Sequence, residues 1–450
     1  MKLTFIGAAG TVTGSGFILT SDSGRSILVD LGMYQGTKEE EKLNYVPLSF
    51  DPGTLIGVVL THAHLDHCGR LPILMRGGYH GRLYMTRATA SLTQLTLSDA
   101  AHVMTLHEEN PPLYNIHDVE KLLGRVMAVN YDEEFTIGPF RLTMKDAGHI
   151  LGSASVVIRD TSAYGGIKSI VFSGDLGNSP EDIVRPTEPV GAVDAVVMES
   201  TYGDKLHPKE DTMALIQREF NSVEESGGTL LIPAFSLDRT QELLHKIDHL
   251  KKEGRIRNET PVFLDSPMAI SATEIYESYR ELYSKELTEH SKVDDPFNFP
   301  ALSMVQESRE SRKIKEVEGA KVIIAGNGMM AGGRILKHSV EYLPIPTTRL
   351  LMVGYQGVQT LGRQIAEGAR DVVIDGHPVH INATVSESIG MSAHADQAGL
   401  LSWLGDIKGV KKVFLAHGEN PAREVFSQKV KKELNIQDVF IPSIQQSFDL

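Results

Sequence analysis

Apolar residues in the first part of this chain fall into short runs that end in a polar or ligand-type residue. Ile27-Leu28-Val29-Asp30, Val58-Val59-Leu60-Thr61 and Ile170-Val171-Phe172-Ser173 share this design, and Ala195-Val196-Val197-Met198 leads into Glu199. A short continuous apolar run predicts a buried strand. Their polar ends put chemistry along one sheet edge, a recurrent way to build an active site on an α/β scaffold. Further strands are predicted over residues 3–6, 16–20, 141–144 and 154–158, with a helix over residues 88–107.

From about Lys205 the period lengthens. Helices over residues 210–225 and 239–252 and a long helical stretch over 269–289 alternate with strands over 229–232, 261–264 and 321–324. Such alternation implies a parallel sheet. After about Asp375 short strands return, followed by a helix over 397–404 and a final strand over 412–415. The simplest account is an α/β chain in which a second domain, residues 206–375, is inserted into a first one made of residues 1–205 and 376–450.

Composition adds limits. At 450 residues, 41% hydrophobic and 23% charged, the chain is large enough for two cores and ordinary for a globular protein. No apolar run has the length of a membrane span, and Met1 to Gly7 reads as a first strand rather than a signal peptide. One cysteine, Cys68, excludes an intrachain disulfide framework, so a reducing cytoplasm is the expected compartment. The formal charge of −14 argues against nucleic-acid binding by bulk electrostatics. It leaves room for a nuclease, where bound cations supply local positive charge. Basic clusters such as Lys251-Lys252 with Arg255 and Arg257 read as solvated faces.

The chemistry concentrates in His62-Ala63-His64-Leu65-Asp66-His67, directly after an apolar run. Imidazoles with a carboxylate and no thiolate suit a hydrolytic Zn²⁺ site. His62 and His64 can reach one ion side by side, while Asp66 and His67 turn toward a second. The competing reading makes Asp66 the N-cap of the following helix. Three later motifs supply more donors: Asp146-Ala147-Gly148-His149, Ser173-Gly174-Asp175-Leu176-Gly177 and Ala416-His417-Gly418-Glu419. A two-metal site needs about seven ligands with one bridging, and His62, His64, Asp66, His67, His149, Asp175 and His417 meet that count.

With these residues in order, the chain resembles the metallo-β-lactamase superfamily in its β-CASP nuclease branch. Asp30, His149 and Asp175 match the superfamily pattern. Glu199 in Met198-Glu199-Ser200-Thr201, His394 in Ser392-Ala393-His394-Ala395-Asp396, and His417 match three motifs peculiar to the branch. It is most similar to the nuclease subunit of the cleavage and polyadenylation specificity factor and its bacterial and archaeal relatives.

The resemblance implies an αββα sandwich with an inserted parallel-sheet β-CASP cap, two Zn²⁺ per chain, and hydrolysis of RNA by a metal-activated hydroxide. One ion would take His62, His64, His149 and Asp175. The other would take Asp66, His67, His417 and the bridging Asp175. Asp30 would orient an imidazole, and His394, oriented by Glu199, would be the general acid. His417 favours RNA over DNA, and the expected partner is RNA, single-stranded favoured. Endonuclease action is expected, with 5′→3′ exonuclease action open, and close relatives commonly dimerise through the C-terminal region. Ser236, Arg239, Gly328, Gly332 and Arg334 are the candidate phosphate contacts, although relatives often carry Gly where Asp238 stands. A silent RNA-processing scaffold subunit and a small-ester metallo-hydrolase are the alternatives.

Overall fold

A computed structural model describes residues 1–106, 110–163, 167–178, 183–209, 211–354, 356–357 and 359–450. His107 and Glu210, expected as helix ends, lie outside them. The chain forms two compact units: residues 1–206 with 394–450, and the inserted His207–Ala393. The second junction therefore falls at residue 393 rather than near 375. The strand Thr384–Ser388 pairs in parallel with Arg349–Val353 and so completes the sheet of the inserted unit.

Among the described residues, unit 1 has two seven-stranded sheets. In the first, the order runs from Ser447–Asp449 through Lys2–Phe5, Gly16–Thr20, Ser26–Leu31, Leu55–Val59 and Arg82–Thr86 to Val126–Val129. In the second it runs from Val439–Phe440 through Lys412–Leu415, Ala195–Met198, Ser169–Phe172, Ala154–Asp160 and Phe140–Asp146 to Phe135–Ile137. The four apolar runs with polar ends are thus split between two sheets and do not share one edge. The apolar runs are buried on both faces, as a sheet covered on both sides requires. Val29, Val59, Phe172 and Val197 face a common core between the sheets, while Leu28, Val58, Val171 and Val196 face helices on the outside. The result is an αββα sandwich.

Where the inner core meets the edge strands of both sheets, Phe414 stacks on Phe440 at 5.1 Å and meets Phe5 and Phe448 at 5.8 and 4.9 Å. Three elements after the strand Lys412–Leu415 had no counterpart in the sequence reading: the helix Asn420–Glu433, the strand Val439–Phe440, and the strand Ser447–Asp449, which pairs with Lys2–Phe5.

Among the described residues, unit 2 is built on a six-stranded parallel sheet, ordered Leu302–Met304, Val262–Asp265, Lys321–Ala325, Thr229–Pro233, Arg349–Val353, Thr384–Ser388, with a separate antiparallel pair Asp371–Ile374 and His377–His380. The expected long helix over 269–289 is broken into Pro267–Ser278, a single turn Arg280–Leu282, and Lys285–Ser291. Tyr279 leaves helical geometry, and the Ser284 hydroxyl starts a new helix by accepting from the Leu287 N–H. Lys251 also departs from the solvated face expected of its cluster. It is 2% exposed, and its ammonium donates to the carbonyls of Asn258, Thr260 and Pro300 at 2.9 Å each. No helix among the described residues is long and apolar enough to cross a membrane.

Truncating Phe414 removes the ring on which the inner core closes. Phe414→Ala is expected to destabilise unit 1 by about 3–5 kcal/mol in urea unfolding. A loss below about 1 kcal/mol would show that the core does not depend on it.

Candidate metal centre

All seven expected donors converge in unit 1, delivered by loops at strand ends. His62 and His64 follow Leu55–Val59, and Asp66 and His67 lie on the short helix Leu65–Cys68. His149 follows Phe140–Asp146, Asp175 follows Ser169–Phe172, and His417 follows Lys412–Leu415. Backbones meet closely enough only because glycine stands at the crossings. A Cβ on Gly177 would strike the Gly148 carbonyl, and one on Gly32 would strike the Asp66 carbonyl.

The donors form two groups, each with ligand atoms within 4.8 Å of one another. In the first, His64 Nδ1 lies 3.1 Å from both His62 Nε2 and His149 Nε2. Asp175 Oδ2 lies 3.3 Å from His62 Nε2 and 3.6 Å from His149 Nε2. Two ligand atoms on one tetrahedral zinc stand about 3.3 Å apart, so this spacing fits the ion. In the second group, Asp175 Oδ1 is 3.3 Å from His67 Nε2, and Asp66 Oδ2 is 3.2 Å from His417 Nε2. Asp175 is 1% exposed and gives one oxygen to each group, yet its Oδ1 has no hydrogen-bond partner. An orphaned buried carboxylate oxygen among imidazole nitrogens is what a shared cation would satisfy.

In the first group the protonation states agree. Burial pushes His62 down to about 3 and His64 to about 4, and holds His149 well below the usual range. These rings are neutral, the form that binds metal. Burial would also keep His67 neutral, but Asp175 and Asp30 beside it outweigh that and raise it well above the ordinary value. Burial likewise opposes charge on Asp66 and Asp175, yet the neighbouring imidazoles, led by His417, hold both carboxyls well below the usual range.

An outer layer fixes the rings. Asp30 accepts from the backbone N–H and the hydroxyl of Thr61, both at 2.8 Å, and lies 2.8 Å from His67 Nδ1. Thr61 Oγ1 is 3.1 Å from His62 Nδ1, and Thr201 Oγ1 is 3.1 Å from His417 Nδ1. Such contacts leave the opposite nitrogen of each ring for the centre. Asp30 and His417 both hold φ in the left-handed region, at 56° and 45°. Sparsely populated conformations of this kind cluster where function over-determines them. Thr61 and Thr201 were missed by sequence reading, and adjacency to His62 and to Glu199-Ser200 was the only signal available. Asp66 does not cap its helix: the N-cap is His64, without a side-chain bond.

His394 lies beside the first group, with its ring 4.6 Å from that of His149. Its Nδ1 is 3.2 Å from Glu199 Oε1, and the same oxygen accepts from the Leu176 N–H at 2.7 Å. Burial works against a charged imidazole here, but Glu199, then Asp175 and Asp66, raise His394 to about 9. Asp396 caps the helix Gln397–Asp406 by itself.

The candidate phosphate contacts lie in unit 2. Half-buried Ser236 follows the strand Thr229–Pro233, its hydroxyl 3.4 Å from that of Ser266. Gly328 and Gly332 lie in the turn after Lys321–Ala325, where the Gly332 carbonyl accepts from the Asn327 N–H at 3.3 Å. The two arginines are committed elsewhere. Arg239 is 3% exposed and paired with Glu242 and Asp238. Arg334 donates to Asp265 at 2.6 Å and to the carbonyls of Val305 and Gln306 at 3.0 and 2.5 Å. Asp238 has φ 69° and ψ −62°, and the Arg239 N–H bonds the Leu237 carbonyl at 2.9 Å. That strained γ-turn is the physical reason glycine would suit the position.

Comparison with known proteins agrees with this architecture. Three family models match: the metallo-beta-lactamase superfamily over residues 10–208, the Beta-Casp domain over 240–365, and a Zn-dependent metallo-hydrolase RNA specificity domain over 378–442. The chain is 39% identical to Ribonuclease TTHA0252 of Thermus thermophilus, over 93% of each chain. It is 30% identical to transcription termination factor FttA of Thermococcus kodakarensis, over 97% of this chain and 69% of that one. A crystal structure of a protein of unknown function from Enterococcus faecalis superposes with a TM-score of 0.57 at 12% identity, covering 100% of this chain and 99% of that chain, and so shares the fold.

Because the Arg239 guanidinium is buried between carboxylates, Arg239→Ala should act on stability before it acts on binding. The expected loss is about 3–5 kcal/mol in urea unfolding. The salt dependence of RNA binding should not change. A reduced salt slope with stability intact would restore a phosphate contact to this residue.

Proposed function

We propose that this chain, which belongs to the β-CASP ribonuclease family of the metallo-β-lactamase superfamily, hydrolyses RNA phosphodiester bonds with the help of two zinc ions. Membership makes it a metal-dependent ribonuclease; the two-ion arrangement and the residue roles are our reading. One observation carries it. The two oxygens of buried Asp175 each lie against a separate set of three further donors: His62, His64 and His149 on one side, Asp66, His67 and His417 on the other. Bound zinc would supply Lewis acidity toward the phosphoryl oxygens and a water of lowered pKa.

The chain's own residues supply the rest. Asp30, Thr61 and Thr201 hold three imidazoles in the tautomers that keep one nitrogen toward the centre. Cleavage leaves a 3′-oxygen that needs a proton, and His394 is the residue proposed to deliver it. A general acid must be protonated at working pH, and Glu199 favours that form through its charge and hydrogen bond. Ser236, Gly328 and Gly332 are proposed contacts for the RNA backbone. An endonucleolytic cut is the expected mode, with 5′→3′ trimming as a second outcome.

Incubation with 5′-labelled RNA and matching DNA, with and without chelator, should give internal RNA cuts only where metal is retained. Cleavage of DNA but not of RNA, or RNA cleavage that survives full metal removal, would sink the reading.

His394→Ala with its zinc content intact should lower kcat by about 10²–10⁴-fold. Near-normal cleavage by that protein removes His394 from the mechanism. In Glu199→Gln the carboxylate that raises His394 is gone, so the acid loses its proton at lower pH. The alkaline limb of kcat/KM should shift downward, and an unmoved limb would break the link between the two residues.

A further inference from the structure

Unit 2 gathers a second set of imidazoles that the reaction above does not use. His245 and His249 stand one turn apart on the helix Arg239–Lys252, with Asp248 on the same face. His290 reaches them from the helix Lys285–Ser291. Ring centroids are 4.5 Å apart for His245 and His249, 5.1 Å for His245 and His290, and 4.8 Å for His249 and His290. One nitrogen from each ring lies within 4.8 Å of the other two.

These side chains are only partly satisfied by one another, through His290 Nε2 and Asp248 Oδ2 at 3.1 Å. Both nitrogens of His245, Nε2 of His249, Nδ1 of His290 and Oδ1 of Asp248 are buried without a hydrogen-bond partner. Buried polar atoms are normally partnered, and this many without a partner in one place call for an ion that can take one nitrogen from each ring. Lys252 does not supply the missing partner. Its ammonium sits 2.8 Å from Asp248 Oδ2, 2.9 Å from His290 Nε2 and 3.0 Å from Asp294, leaving the atoms above untouched. Protonation does not supply it either. Burial, then the neighbouring His249 and His290, pushes His245 down to about 3, and burial followed by Lys252 lowers His290.

We propose that His245, His249 and His290 hold a divalent transition-metal ion that ties the helix Lys285–Ser291 to the helix Arg239–Lys252. Imidazole-rich donor sets suit zinc, and two histidines four apart on one helix face are a common way to present two of them. Rings on a tetrahedral zinc place their nitrogens about 3.3 Å apart, a closure that small side-chain rotations supply. The helix the ion would anchor needs such a tie: it is seven residues long and fully buries one side chain, Leu287.

The test uses the full chain, stripped by chelator and reloaded with Zn²⁺ alone. Crystals of the unmodified protein should show anomalous scattering at the zinc edge between the three imidazoles. His249→Gln and His290→Gln proteins with unchanged circular dichroism should each hold one zinc fewer per chain and lose part of the zinc-dependent rise in Tm. RNA cleavage should be retained, which separates this ion from those of unit 1. No anomalous peak at the cluster in zinc-loaded crystals, or zinc content equal to that of the unmodified chain in both variants, overturns the proposal.

Discussion

Burying charge is the constraint on which unit 1 depends. Asp30, Asp175 and Glu199 are each 1% exposed, and His62, His67 and His149 lie beside them with similar burial. Removing a carboxylate from water costs several kcal/mol, recovered only where hydrogen bonds and opposite charge are arranged with care. The arrangement here is layered. Donor atoms face one another across 3–4 Å, and the remaining atoms of three rings are occupied by Asp30, Thr61 and Thr201. The sandwich supplies the rigid strand ends, and glycines at the loop crossings let the layers close.

Much of this was legible from residue types. Metal donors are chemically distinctive, so a loop with His62, His64, Asp66 and His67 announces itself, and motifs with His149, Asp175 and His417 complete the set. Hydroxyl groups carry no such signature. Thr61 and Thr201 orient imidazoles as Asp30 does, yet threonine at a strand end is commonplace. Strand identity was legible as well, but partnership was not: an apolar run does not say which sheet it enters. Four similar runs therefore suggested one edge where two facing sheets exist.

Unit 2 shows the opposite balance. Its parallel sheet follows from the helix–strand alternation, whereas the roles of its charged residues follow from tertiary contacts. Arg239 and Arg334 had the right chemistry for phosphate and spend it on carboxylates and carbonyls. Lys251 looked like part of a solvated face and is a buried triple donor. His245, His249 and His290 drew no notice because the third ring lies on a different helix, and only folding brings it to the other two.

The route of the chain through unit 1 sets an order on its assembly. His417 and Asp66 meet across 351 residues, and most of that interval is the inserted unit. Where the insertion departs and returns, Gln397 donates a side-chain bond to the Gly203 carbonyl at 2.7 Å and a backbone bond to the Lys205 carbonyl at 2.9 Å. The two junctions are thus stapled together within unit 1. Closing so long a loop costs entropy that grows only logarithmically with its length. The staple settles that cost once, and the segment beyond it can vary in size without pulling the second donor group apart. A ribosome releases His62, His64, His149 and Asp175 long before His417, so half of the centre is available to condense while the other half is still unmade.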